Sequence, residues 1–428
     1  MSNFEMFGLA PTLKKAIDAA GFSEPTPIQQ EAIPLAMQGR DVMGLAQTGT
    51  GKTLAFGLPL INSLLSQPSG KRPAKSVKAL VLAPTRELAN QIAESLWALA
   101  GKTGLRVSTV VGGQSIGRQI NMLSKGTDIL VATPGRLIDL MDRGSVDLGS
   151  VRYLVLDEAD QMLDLGFIHA LRKIAPKLGK PRQTMLFSAT MPKQMEELSQ
   201  AYLSDPQRVQ VAPPGKAADK VTQSVHFIDR GDKPALLRDV LSNDLEALTL
   251  VFARTKHGAE KLMKKLVADG YNAASIHGNK SQGQRDRAIK AFREGKIKTL
   301  VATDVAARGI DIPGVAYVIN YDLPEVPENY VHRIGRTARA GREGEAIAFC
   351  APDEANLLRQ IQKLMKIELP VASGTSPLPA AGEKPNRGSG APRRRGPAAN
   401  TNKPAEGHKS GKPGQSRRRR QSRNRNAA

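Results

Sequence analysis

Tyr153-Leu154-Val155-Leu156-Asp157-Glu158-Ala159-Asp160 runs four apolar residues straight into a cluster of acids. The apolar run has the length of a buried strand. Carboxylates at the C-terminal end of such a strand can hold a metal ion and steer water. A second stretch, Ala46-Gln47-Thr48-Gly49-Thr50-Gly51-Lys52-Thr53, lies upstream, with Lys52 standing 105 positions before Asp157. Its glycine-rich turn ends in Lys and Thr at a helix start, offering backbone N–H groups and a cation to phosphates and a hydroxyl to Mg²⁺. Together the two stretches point to an ATP-driven motor.

Around them, apolar strand-like runs alternate with helical stretches, the pattern of βαβ units and parallel sheets. Such runs fall at 77–83, 128–132, 153–157 and 184–188, and again at 248–253, 273–277, 299–303, 317–321 and 346–350. Ala212-Pro213-Pro214-Gly215-Lys216 interrupts the periodicity. The expected fold class is α/β, with two tandem parallel-sheet domains at 1–212 and 220–368, a linker at 213–219 and a disordered basic tail at 369–428. The halves show no sequence repeat, although they could still share a fold.

The chain has 428 residues, 40% of them hydrophobic, enough for real cores. Its single cysteine, Cys350, excludes a disulfide framework and a cysteine-based metal cage and fits a reducing compartment. Met1 to Phe7 lacks the basic and apolar stretches of a secretory signal, and no apolar run reaches the roughly 20 residues of a membrane span. A cytoplasmic protein is expected. The formal charge is +22, of which +12 falls in residues 371–428 and +10 in the rest, favouring a polyanionic partner. The tail lacks Phe, Trp and Tyr and bunches arginines at Arg393–Arg395 and Arg417–Arg420, a composition that cannot offset its ordering entropy. Such a tail either tethers RNA by counterion release or keeps the chain soluble.

More motifs follow in fixed order. Gly21-Phe22 with Pro25-Thr26-Pro27-Ile28-Gln29, the glycine-rich loop, Pro84-Thr85-Arg86-Glu87-Leu88 and Thr133-Pro134-Gly135-Arg136 come first. Asp157 to Asp160, Ser188-Ala189-Thr190, Gln282 to Arg285, Asp304 with Arg308-Gly309-Ile310-Asp311, and His332-Arg333-Ile334-Gly335-Arg336-Thr337-Ala338-Arg339 complete the series. Over residues 1–368 this series resembles the DEAD-box ATP-dependent RNA helicases of superfamily 2. The arginine-rich tail on a compact core resembles the bacterial RhlE-type branch.

The resemblance implies two RecA-like domains that close around ATP, Mg²⁺ and a single RNA strand. Gln29 reads the adenine edge and Phe4 or Phe22 covers the ring, or else Gln29 ends a Pro-fixed turn and the aromatics are core. Thr48, Gly49, Thr50, Gly51, Lys52 and Thr53 bind the phosphates, with Thr53 on the metal. Asp157 holds Mg²⁺, partly through water, and Glu158 orients and deprotonates the attacking water. Asp160 bridges to the second domain rather than to the metal. Arg336 and Arg339 act as arginine fingers that arrive on closure, while Arg333 and Arg342 form a basic surface turn. Where the family has Gly, this chain has Ala338, which costs about 1 kcal/mol if that position needs positive φ. Asp311 holds the ribose, and His332 couples the acids to Ser188 and Thr190, whose hydroxyls could instead cap a helix.

For RNA, the resemblance implies contacts from Thr85, Arg86, Gly113, Thr133, Gly135, Arg136, Arg285 and Thr303. Arginine, hydroxyl and exposed amide make a sequence-blind phosphate track. The expected activity is local, non-processive unwinding or remodelling of RNA duplexes and ribonucleoproteins by a monomeric core, in ribosome assembly or RNA decay. A DNA helicase, an ATP-gated RNA clamp and a metabolic P-loop kinase are the alternatives.

Overall fold

A computed structural model describes residues 3–46, 49–67, 72–191, 193–211, 221–310, 312, 314–338 and 343–376. Two parallel seven-stranded sheets account for it. The first contains β1 (Val42–Leu45), β2 (Val77–Leu82), β3 (Val107–Val110), β4 (Thr127–Ala132), β5 (Tyr153–Leu156), β6 (Gln183–Ser188) and β7 (Gln207–Gln210). The second contains β8 (Val221–Phe227), β9 (Leu248–Phe252), β10 (Ala273–Ile276), β11 (Thr299–Ala302), β12 (Val315–Asn320), β13 (Gly344–Cys350) and β14 (Val371–Ser373). Their orders are β3-β4-β2-β5-β6-β1-β7 and β10-β11-β9-β12-β13-β8-β14. Advancing every number of the first by seven gives the second, so the halves share one topology despite lacking a visible sequence repeat.

Successive side chains of a strand point to opposite faces, and a parallel sheet buries both. In β5, Val155 enters one core while Leu154 and Leu156 enter another. The second sheet repeats the division, Val251 on one side and Leu250 and Phe252 on the other. Helices that cover both faces leave the C-terminal strand ends open, and there a doubly wound sheet binds ligands.

Within the second half, Lys233 is the first residue of the helix Lys233–Ser242 and is 2% exposed. Its Nζ donates to Glu354 Oε2 at 2.6 Å and to the Tyr321 carbonyl at 2.7 Å, with Asp322 Oδ1 at 3.6 Å. A buried ammonium needs such partners, because removing a charge from water is costly.

Composition assigned residues 369–376 to the tail, and the structure corrects this. Leu369 is buried, and β14 pairs in parallel with β8. Backbone pairing needs no hydrophobic pattern, which is why the exposed side chains of β14 gave no signal. The proline-rich break at 212–216 and the arginine clusters lie outside the described residues.

Candidate functional site

The glycine-rich loop leaves the end of β1 and enters the helix Lys52–Leu65, with Gly51 as its N-cap at φ +91°. A side chain at Gly51 would strike Gln29 Nε2 and stand 2.9 Å from Thr26 Oγ1, so both the φ and the packing require glycine. Those neighbours lock the loop to the Pro25–Gln29 motif. Gln29 Nε2 donates to the Gly51 carbonyl at 2.9 Å, Thr26 Oγ1 donates to the Thr50 carbonyl at 2.8 Å, and Gln29 Oε1 accepts from the Thr26 amide at 3.0 Å. The Gln29 amide keeps one N–H and one lone pair for another partner. Gly49 also has positive φ; Thr48 lies outside the described residues.

Of the two aromatics, Phe4 is 1% exposed and packs edge-to-face on Phe7 at 5.9 Å. It is a core residue without a ring face for a base, which corrects its assignment to the nucleotide. Phe22 is 40% exposed and has that face.

Lys52 is buried, and among the described residues its Nζ has no hydrogen-bond partner, Asp157 Oδ1 standing at 3.5 Å. A buried ammonium with its donors unused suits phosphate oxygens. Thr53 follows it, half-buried in the first turn. Asp157 and Glu158 are each 2% exposed. Burial raises the Asp157 carboxyl to about 6; the Lys52 ammonium opposes the rise and Glu158 adds to it. Glu158 has φ +51°, a conformation costing about 1–3 kcal/mol that concentrates at functional sites. Among the described residues no three His, Cys, Asp or Glu side chains converge as a metal cage. One carboxylate and one hydroxyl beside the Lys52 ammonium fit Mg²⁺, which is usually held by few side chains together with substrate phosphates.

Asp160 Oδ2 accepts from the Ala189 amide at 3.1 Å, the Thr190 amide at 2.9 Å and Thr190 Oγ1 at 3.1 Å. These bonds stay within the first half, so its direct bridge is to the end of β6. Its field nevertheless reaches His332 of the second half, whose imidazole burial holds below its ordinary value while Asp160 opposes the fall. Ser188 Oγ donates to the Thr190 carbonyl at 2.7 Å and closes this turn.

His332 and Arg333 lie on the helix Pro327–Ile334, and Arg336 follows its end. Arg336 is 4% exposed, donating through Nη1 to the Ile310 carbonyl at 2.7 Å and through Nε to the His332 carbonyl at 3.2 Å. Arg333 overturns its reading as a surface turn. It is 2% exposed, meets Asp304 with two bonds of 2.5 and 2.8 Å, bonds Asn320 Oδ1 at 3.0 Å and lies over the Phe252 ring at 4.9 Å. No periodicity marks it, because the apolar residues around it come from distant strands. Arg308, absent from the expected site, joins the halves by donating to Asp164 at 3.1 Å and to Asn329 at 3.0 Å. Asp311, Arg339 and Arg342 lie outside the described residues.

Of the eight expected RNA residues, six line one cleft of about 480 Å³ between the halves, and Gly113 and Thr303 do not. Thr85, Arg86, Thr133, Gly135 and Arg136 line it from the first half and Arg285 from the second. Gly113 has φ +75°, and a side chain there would collide with the Arg86 guanidinium. Thr303, 9% exposed at the end of β11, is not among the lining residues. Arg136 Nη1 donates to the Gln114 carbonyl at 3.2 Å. Among the described residues, the buried Arg285 Nε has no hydrogen-bond partner. Sequence reading missed Glu87, Lys280 and Gln282, which also line the wall. Gln282 spans the cleft by accepting from Arg86 Nη1 at 3.1 Å and donating to Glu87 Oε1 at 2.9 Å. Its place in the Gln282–Arg285 motif was the available signal.

Residues 26–198 match the DEAD/DEAH box helicase family, and residues 232–341 match the helicase conserved C-terminal domain. The ATP-dependent RNA helicase CshA of Listeria monocytogenes is 44% identical over 366 residues, 86% of this chain and 69% of that protein. CshA of Geobacillus kaustophilus is 43% identical, covering 86% and 77%. Among solved structures, S. cerevisiae Dbp5 bound to RNA and ADP BeF3 superposes with a TM-score of 0.78 at 34% identity, covering 87% of this chain and 96% of that one. From its ordered motifs, its twin parallel sheets and these matches, the chain belongs to the DEAD/DEAH box helicase family.

Proposed function

We propose that the protein is an ATP-dependent RNA helicase that separates or remodels short RNA duplexes non-processively. The carrying observation is the cleft that sets Arg86 and Arg136 of one half against Arg285 of the other, with a phosphate-binding loop at the strand ends of the first half. The CshA relatives bear the name of this activity, and the Dbp5 structure superposing on the chain holds RNA and a nucleotide analogue.

In this reading, Gln29 and Phe22 receive adenine, and the amides of Gly49 to Thr53 and the Lys52 ammonium take the phosphates. Thr53 and Asp157 would hold Mg²⁺, the latter partly through water. Bound there, the ion neutralises charge on the β and γ phosphates. Glu158 orients and deprotonates the attacking water. Asp160, Ser188, Thr190 and His332 relay closure, which brings Arg336 and Arg339 to the γ phosphate. Because an arginine finger contributes about 10³ to 10⁵ in rate, hydrolysis is tied to closure. Asp311 is assigned to the ribose, and Gly113 and Thr303 to the RNA track with the cleft residues. The domain limits remain 1–212 and 220–368 about a 213–219 linker, with β14 now added to the second domain.

The RhlE-type branch rests on the tail alone, since the relatives compared carry the name CshA. Action on ribosomal particles or an RNA-decay assembly, a cytoplasmic location and a monomeric core belong to the same proposal. Among the described residues no helix is long and apolar enough to cross a membrane.

Steady-state ATP hydrolysis with no nucleic acid, with single-stranded RNA and with DNA of the same sequence tests the proposal. RNA-specific stimulation is expected. Equal stimulation by DNA would make it a general helicase, and RNA binding without stimulation would make it a clamp.

A further inference from the structure

Behind the second half's side of the cleft, Glu260 on the helix Lys256–Ala268 gathers three donors on a single oxygen. Ser275 Oγ lies at 2.7 Å, Lys280 Nζ at 2.9 Å and His277 Nε2 at 3.0 Å from Glu260 Oε2. These bonds hold the Glu260 carboxyl down to about 2, so it stays ionised near neutral pH. His277 is 4% exposed, and its Nδ1 accepts from the Asn279 amide at 3.3 Å. That acceptor role assigns the proton to Nε2, which donates to Glu260. One carboxylate therefore fixes both ends of the turn between β10 and the helix Gln282–Arg293.

Gly278 and Lys280 of this turn stand in the wall that Arg86, Arg136 and Arg285 also line. Lys280 is 20% exposed in its side chain, and its ammonium is anchored beside the path those arginines mark. We propose that Lys280 is a further phosphate contact of the RNA track, presented to the strand by Glu260; the inference rests on the RNA reading above. An ordinary exposed ion pair needs no such role. Lys296 with Glu294 is one, its side chain 74% exposed and outside the cleft wall.

The test is binding of a labelled single-stranded RNA by anisotropy over a salt series, using the full chain, Lys280→Met, Lys280→Arg and Lys296→Met. Each phosphate contact to a single strand adds about 0.7 to the slope of log affinity against log salt. Lys280→Met is expected to bind more weakly and to lose about 0.7 of slope. Its disadvantage then shrinks about 2.6-fold from roughly 50 to 200 mM salt, that slope taken over a fourfold change. Lys280→Arg should keep the slope, and Lys296→Met should match the unaltered chain. A slope unchanged in Lys280→Met, or lost equally in Lys280→Arg or Lys296→Met, overturns the contact while the RNA reading stands. An unaltered chain that fails to bind RNA overturns the RNA reading itself.

Discussion

Arg285 places its Nη2 3.0 Å from Glu87 Oε1, joining a helix of the second half to a helix of the first across the cleft. Glu87 is 7% exposed and Arg285 is mostly buried, so water screens the pair poorly. A residue expected to hold RNA is thereby also a residue that holds the halves together.

A double-mutant cycle with Glu87→Ala and Arg285→Ala, read from RNA-stimulated ATP turnover, should give a coupling of about 1 kcal/mol. Each single change should raise the RNA concentration for half-stimulation. Strictly additive effects would remove the closure role of the pair.

Glu158→Gln preserves size and removes the carboxylate that the proposed mechanism uses as its base. ATP turnover should fall by about 10² to 10⁴, while ATP-dependent RNA binding persists. Loss of binding in parallel with turnover would show that Glu158 acts through folding or nucleotide affinity instead.

Ala338 has φ +52°, so the condition under which alanine is costly there is met. Ala338→Gly should stabilise the second half by about 1 kcal/mol, seen as a higher urea midpoint with an unchanged m-value. No shift would mean that the neighbouring loop absorbs the strain.

Arg333→Ala leaves Asp304, whose side chain is 25% exposed, beside an emptied buried site. Breaking a buried pair costs about 3–5 kcal/mol, and partial exposure of Asp304 puts this case near 3. Equilibrium denaturation measures it, and a cost under about 0.5 kcal/mol would fit a surface position instead.

Glu260 has a folded pKa of about 2 against an ordinary 4.5. Since the folded value is the lower, its contribution is complete above about 4.5 and disappears as the pH falls toward 2. The stability gap between the unaltered chain and Glu260→Gln should close over that window. A gap independent of pH would assign the effect to packing.

What the sequence made legible follows from burial. β2, β4, β5, β6 and most of the second sheet are predominantly apolar because both their faces are covered. β3, β7, β8 and β14 escaped, since their side chains alternate with solvent or lie wholly in it. β1 is only four residues long and contains Gly44, against which Phe187 packs. In the site, the glycine-rich loop and the acids stood out because each is one contiguous stretch of sequence. Arg333, Glu87 and Glu260 were not, because each takes its meaning from partners that only the folded chain brings near.

The buried Lys233 gains a different significance beside the shared strand order. Lys52 begins the helix after β1 and faces Asp157, just past β5, at 3.5 Å; Lys233 begins the helix after β8 and faces Asp322, just past β12, at 3.6 Å. Positions and distances thus correspond between the two halves. The halves differ in what completes the lysine: among the described residues nothing accepts a hydrogen bond from Lys52 Nζ, whereas Glu354 accepts from Lys233 in the second half. Ligand binding stabilises only the state that binds it, so heating with ATP should delay melting of the first half more than that of the self-sufficient second half.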